Sequence, residues 1–257
     1  LPHIPIIGVS DSAFHSTLPA EAYTYALPHD VVEKWNIRKF GYHGSSFASV
    51  ARKVGDMQGG VPTRMIICHL GSGSSITAVK DGKSIDTTMG FTPLEGLVMG
   101  TRVGDVDAGA VIHVGEVLDS SFADLEKLFY TKSGMLGVSG TSGDIRDLLA
   151  REFQGDERAK LALNVFVYRI QKYIGSYIAV LGGLDALVFC ATIGERSFIM
   201  RKRICHTLGV FGVTIDEEKN KEVISRDSFI HKEGSVPVVV MTTDEMGEIA
   251  REASKLV

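Results

Sequence analysis

Cysteine is scarce in this chain. The 257 residues hold three, Cys68, Cys190 and Cys205, and no two stand in a CxxC spacing. A disulfide framework is therefore not expected, and each thiol, in or beside an apolar stretch, reads as buried in a reducing compartment. The eight histidines, at 3, 15, 29, 43, 69, 113, 206 and 231, form no HExxH and no close Cys/His pair, which speaks against structural zinc. No run of Lys and Arg resembles a stripe for a nucleic-acid backbone, and the mixed charges sum to only -4, so no nucleic-acid partner is expected. No uninterrupted apolar run reaches 18 residues, and the first residues lack a basic-then-apolar leader. The expectation is a soluble, cytoplasmic protein with no membrane role. Internal repeats and low-complexity linkers are also missing, so domain boundaries are poorly marked. The first residue is Leu1 and a strand-like run begins almost at once, which reads as the start of a fragment.

What is present is apolar material and glycine. A hydrophobic content of 44% permits a substantial core, and 28 glycines point to tight turns or close backbone approach to a ligand. Residues 4–9 read as an opening strand, followed by a polar, turn-rich stretch to Pro28. Ser45 and Ser46 are placed to cap a helix through Phe47, Val50, Ala51 and Val54. Strands are expected at 64–70 and 74–79, with Asp81-Gly82 turning into a third at 83–88. Helical spacing recurs at 122–130, 144–153 and, at greatest length, 156–181, where it stops at Gly182-Gly183. A strand at 186–190, a turn at 192–195, a helix near 197–208, a strand at 236–241 and a helix at 245–256 complete an α/β order.

Three glycine-containing loops stand out. His69-Leu70-Gly71-Ser72-Gly73-Ser74-Ser75 joins two strands, and consecutive N–H groups there can face one concavity suited to phosphate oxygens. It has neither the GxxxxGK[ST] spacing nor a following helix, so an ordinary hairpin approach stays open, as does a core role for His69. Thr192-Ile193-Gly194-Glu195 follows a strand and precedes a helix. Ser139 to Asp144 also leads into a helix that Ser142 or Asp144 can cap; simple loop capping is the plain alternative for both. Charged groups lie at similar junctions. Asp11 follows the opening strand, His43 sits between Gly41 and Gly44, and Arg102 lies between Gly100 and Gly104. A carboxylate, an imidazole and a guanidinium are groups that phosphoryl transfer uses: the first to hold Mg2+, the others to neutralise phosphoryl oxygens. Spacing alone does not bring the three together.

These same residues carry a resemblance. Asp11 to Pro19 (DSAFHSTLP) resembles the DTAFHxTMP segment of the acetate kinase family, and Phe40 to Ser46 (FGYHGSS) resembles its YGFHGTSH. His69 to Ser75, Asp86 to Leu97 (DTTMGFTPLEGL) and Met99-Gly100-Thr101-Arg102 are similar to the rest of that signature. The match covers essentially the whole chain and favours acetate and propionate kinases over butyrate kinases. The resemblance implies an α/β, ribonuclease H-like fold of the actin, Hsc70 and sugar kinase superfamily, with a mixed sheet and flanking helices. It also implies that residues 1–14 end a first domain, 15–242 form a second, nucleotide-binding domain, and 243–257 form a helix returning to the first. By the same likeness Asp11, His43 and Arg102 are catalytic. His69, Leu70, Gly71, Ser72, Gly73, Asp144, Ile145, Arg146, Thr192, Ile193, Gly194, Glu195 and Arg196 meet the nucleotide. Glu245 binds the metal, with a helix-dipole role as its alternative. Mg2+ or Mn2+, ATP or ADP, acetate or propionate, and a second copy of the chain are the implied partners.

Three departures carry expectations of their own. Ser72 stands where the family has a longer asparagine. Thr192 replaces a glycine and is expected to crowd the adenosine, and Arg196 replaces an asparagine, which points to looser ATP binding or another phosphoryl donor. The family's first phosphate loop, with its metal-site asparagine, and its first-domain arginine and histidine have no counterpart here. A sugar-type kinase of the same superfamily, another short-chain carboxylate kinase, and an inactive nucleotide-binding domain are the competing readings.

Overall fold

A computed structural model describes residues 6–256. Short helices come first: α1 (Ala20–Tyr23) and α2 (His29–Trp35), preceded by a 3-10 turn at Ala13–Thr17. Then follow α3 (Gly44–Gln58) and three strands, β1 (Arg64–Leu70), β2 (Ser74–Lys80) and β3 (Lys83–Thr87). A helical block holds α4 (Ala108–Val117), α5 (Phe122–Thr131), α6 (Gly134–Ser139), α7 (Ile145–Phe153) and α8 (Glu157–Leu181). The last part runs β4 (Ala186–Cys190), α9 (Ala191–Arg196), α10 (Phe198–Cys205), α11 (Glu217–Glu222), β5 (Ser228–Phe229), β6 (Val238–Val240) and α12 (Glu245–Ser254).

The strands make one mixed sheet in the order β3-β2-β1-β4-β6-β5. β1, β4 and β6 are parallel, with His69 opposite Cys190 and Phe189 opposite Val240, so all three end at the same edge. β2, β3 and β5 are antiparallel additions. Side chains alternate along the central strands as a period of two requires. Ile66, Cys68, Leu70, Leu187, Phe189, Val238 and Val240 face α8, whereas Met65, Ile67, Val188, Cys190 and Val239 face α3. Burial on both faces explains why these strands read as continuous apolar runs.

Local chemistry sets the boundaries. Asp81 and Gly82 both have positive φ, 49° and 77°, as a two-residue hairpin between β2 and β3 demands. α8 starts where the Asp156 side chain accepts from Arg158 N and Ala159 N, and stops at Gly182 with φ 72°. α3 differs from expectation. Ser45 and Ser46 do not cap it; the carboxylate of Asp11 accepts from His43 N at 2.8 Å and Ser45 N at 3.3 Å instead. That leaves Ser46 free to bond His69.

Other expectations also need correction. Residues 192–195 lie inside α9 and not in a turn. The opening strand has no pairing at residues 6–9, and residues 4–5 lie outside the described range. β5, α4, α6 and α11 had no sequence signal: β5 has two residues, and α4 has no fully buried residue to give it a core face. The three cysteines are buried and unpaired, as expected.

Phe166 of α8 is fully buried against the sheet, while Tyr168 on the same helix is 60% exposed. Phe166→Ala should therefore lower stability by ~3–5 kcal/mol, and Tyr168→Ala by less than about 0.5 kcal/mol. Urea unfolding followed by circular dichroism checks the pair, and equal losses would mean that α8 is docked on another face.

Candidate active site

Three chain segments leave the sheet at the shared edge of β1, β4 and β6. The glycine loop follows β1, α9 follows β4, and residues 241–244 lead from β6 to Glu245. Ligands of open α/β sheets bind at such strand ends. The antiparallel return of β2 brings Ser75 opposite His69, within reach of α3's first turn.

Asp11, His43 and Arg102 converge here. The two Asp11 hydrogen bonds fix its carboxylate on the N-terminus of α3, where the helix dipole favours negative charge. Gly44 is required for this approach, since a Cβ there would lie 2.2 Å from Asp11 O. His43 takes the left-handed conformation, φ 59°, and its Nδ1 shares a 2.8 Å hydrogen bond with Ser75 Oγ. Its ring stacks on His69, with centroids 4.1 Å apart and planes 14° off parallel. Ser46 Oγ shares a 2.8 Å bond with His69 Nδ1.

Burial keeps both rings neutral. It lowers the His69 pKa to about 3, helped by the neighbouring His43, and it lowers His43, where the Asp11 carboxylate opposes the shift. When Ser75 donates to Nδ1, a neutral His43 presents its Nε2–H. Gly73 sits against that nitrogen: a Cβ on it would meet His43 Nε2 at 3.3 Å and an Arg102 guanidinium nitrogen at 3.6 Å. Arg102 donates to Pro93 O at 3.2 Å and lies 5.9 Å from the centre of the Tyr130 ring. Its described partners are a carbonyl, a thioether and an aromatic face, so its charge is not spent on a carboxylate.

A cavity of about 450 Å³ opens beside this cluster, within the range usual for small-molecule sites. Gly71 and Ser72 form one wall, Asp144, Ile145 and Arg146 at the start of α7 a second, and Thr192, Ile193 and Arg196 of α9 the third. Asp144 caps α7 by accepting from Arg146 N at 2.8 Å, and the Arg146 guanidinium folds back onto the same carboxylate, holding it below the usual range. Thr192 narrows its wall without closing the space.

Several sequence candidates lie elsewhere. His69 and Leu70 are buried in β1 beneath the loop. Gly194 packs on Phe189, and the Glu195 carboxylate faces away from the cavity, accepting from Thr243 N at 3.3 Å. Leu149, Phe198 and Ile199 also line the cavity and were missed, having no motif beyond ordinary helical spacing. Ser46 and Ser75, which orient the two imidazoles, were missed because strand pairing places Ser75 and the packing of α3 against β1 places Ser46.

Glu245 starts α12, whose cap is the Asp244 side chain accepting from Gly247 N. Partial burial raises the Glu245 pKa, and the nearby charge of Asp11 adds to it. No cluster of three or more His, Cys, Asp or Glu suited to a metal occurs among the described residues. The Asp11 and Glu245 carboxylates are near enough for the charge of one to be felt by the other, and Mg2+ is commonly held by one or two carboxylates together with phosphate oxygens and water.

Comparison with known proteins identifies the family. The Acetokinase family model matches residues 1–251. The chain belongs to the acetokinase family. An acetate kinase of Acetivibrio thermocellus is 46% identical over 260 residues, covering 100% of this chain and 65% of the relative. The crystal structure of Porphyromonas gingivalis acetate kinase superposes with a TM-score of 0.92 at 40% identity, over 95% of this chain and 62% of that one. A propionate kinase from Francisella tularensis gives 0.89 at 40% identity, over 94% and 62%. The acetokinase chain thus spans under two thirds of the length of these relatives. Its mixed sheet and flanking helices have the fold of the actin, Hsc70 and sugar kinase superfamily. No helix among the described residues is long and apolar enough to cross a membrane.

The neutral histidines set an acid limit. His15 is also buried, its Nδ1 against Ser84 Oγ at 2.9 Å and its Nε2 donating to Tyr42 O at 3.0 Å, and burial lowers its pKa to about 4. The unfolded chain protonates His15 near 6.5, so stability from this group is complete above that pH and is lost as pH falls toward 4, by up to about 1.4 kcal/mol per pH unit. Urea midpoints of His15→Gln should fall less steeply between pH 6.5 and 4.5 than those of the unsubstituted chain. Equal slopes would mean that folded His15 protonates freely.

Proposed function

We propose that the protein of which this chain is part is an acetate kinase, transferring the γ-phosphoryl group of ATP reversibly to acetate to give acetyl phosphate and ADP. The observation that carries the reading is the junction of Gly73, His43 and Arg102 beside the cavity. A nucleotide whose base lies between α7 and α9 would run its phosphates along Gly71–Gly73 toward the two cationic or donor groups. His43 Nε2–H and Arg102 would stabilise charge on the equatorial oxygens while the acceptor oxygen bonds to phosphorus and the bond to ADP breaks. Asp11 and Glu245 would hold Mg2+ beside the phosphates, and the ion would supply charge neutralisation there.

Residues 1–14 and 243–257 belong, in this reading, to the junction with a first domain, and 15–242 to the second. A cavity of about 410 Å³ lined by Ile7, Val9, Phe14, Ala48 and Leu256 at that face supports the assignment. A homodimer is part of the same proposal, supported by the exposed apolar side chains Ile112 and Val117 on α4, Leu118 just after it and Phe122 at the start of α5. Three reduced, buried cysteines suit a cytoplasmic setting.

A coupled assay on the full-length protein with acetate, propionate and butyrate tests the reaction; acetate should be turned over in a Mg2+-dependent way, and no turnover of any of the three refutes it. Arg102→Ala should lower kcat by roughly 10²–10³ with little change in the KM for ATP. An unchanged kcat with a raised KM would place Arg102 on the nucleotide tail.

A further inference from the structure

α9 is six residues long, too short to be stable unaided, yet it forms a whole wall of the nucleotide cavity. What holds it is the fully buried Arg201. One guanidinium nitrogen donates to Gly194 O at 2.8 Å and Glu195 O at 2.9 Å. The other donates to Asn220 O at 2.7 Å and Val223 O at 2.8 Å, and Nε to Asn220 Oδ1 at 2.8 Å. Every donor of the fork is matched, and each acceptor is neutral. Ser225 N also donates to Glu195 O, at 3.2 Å. The backbone of Glu195 is thereby fixed to α10 and α11.

Its side chain points the other way, accepting from Thr243 N, two residues before Glu245. The same segment is held from the far side by Lys53, which donates to Thr242 O at 2.7 Å, and by Asp227, which accepts from Thr242 N at 2.7 Å. Neither of these touches α9. The Glu195 carboxylate is the side-chain link between the nucleotide wall and the segment that presents Glu245.

We propose that Glu195 is a positioning residue that carries occupancy of the nucleotide cavity to Glu245. The proposal rests on the reading of the cavity as a nucleotide site. A ligand seated on Thr192 and Ile193 restrains α9, and the restrained Glu195 then holds Thr243 and the first turn of α12 in place. Cavity and metal-side carboxylate respond together, although Glu195 touches neither ligand.

Amide hydrogen exchange over residues 243–247 tests this in the 257-residue chain, with metal-free ATP at a concentration that calorimetry shows to be saturating. In the unsubstituted chain ATP should slow exchange there by about fivefold or more. Glu195→Ala should reduce the effect to less than about twofold, and Glu195→Gln, whose amide oxygen still accepts from Thr243 N, should restore it. Slowing that survives Glu195→Ala, or that is lost equally in Glu195→Gln, overturns the relay. ATP binding without any slowing in the unsubstituted chain overturns it too, while leaving the proposed function standing. No ATP binding by the unsubstituted chain would overturn the reading of the cavity as a nucleotide site, and the relay with it.

Discussion

β4 hydrogen-bonds in parallel to β1 on one side and to β6 on the other, with a register that ends all three strands at one edge. Each strand then releases a different kind of chain: a glycine loop, a short helix, and a segment leading to a carboxylate. Because the strands are locked in register by alternating burial against α3 and α8, none of these can slide without moving its side chains to the wrong face. The position of Gly71 relative to Thr192, and of both relative to Glu245, follows from that pairing.

The electrostatics at the edge combine a fixed carboxylate, two neutral imidazoles and one cation. Asp11 spends its carboxylate on the α3 N-terminus, which fixes where it points without a cationic side chain. The stacked His43 and His69 are kept neutral by burial, so they offer donors without mutual repulsion. Arg102 is steered by Pro93 O and the Tyr130 ring. The loop carrying Pro93 is itself clamped, since Tyr25 and Lys39 both reach Glu95 and Tyr25 accepts from Phe91 N at 2.8 Å. Preorganisation of this kind costs nothing at the moment of reaction.

Some of this was legible in the chain and some was not, for physical reasons. β1, β2, the Asp81-Gly82 turn and α8 announce themselves because their signals are local: short runs of strand length, a positive-φ dipeptide, apolar residues at helical spacing and a terminal Gly182. The resemblance assembled Asp11, His43 and Arg102, which periodicity alone could not. The cap of α3 was misread because its real partner, Asp11, stands 34 positions before Ser45. α9 was read as a turn because a glycine after a buried strand looks like one, and the Arg201 fork that stabilises the helix comes from the next element. Glu195 was grouped with the nucleotide residues by its place in the motif, and only the structure directs its carboxylate to Thr243.

The central claim is that the strand-end cavity receives the nucleotide through groups this chain already contains. Calorimetric titration of the 257-residue chain with ATP, alongside a Thr192→Trp variant that fills the cavity from its exposed α9 wall, tests it most directly. The account predicts saturable one-site binding by the unsubstituted chain and its loss in Thr192→Trp. Absence of binding, or binding indifferent to the tryptophan, would contradict it.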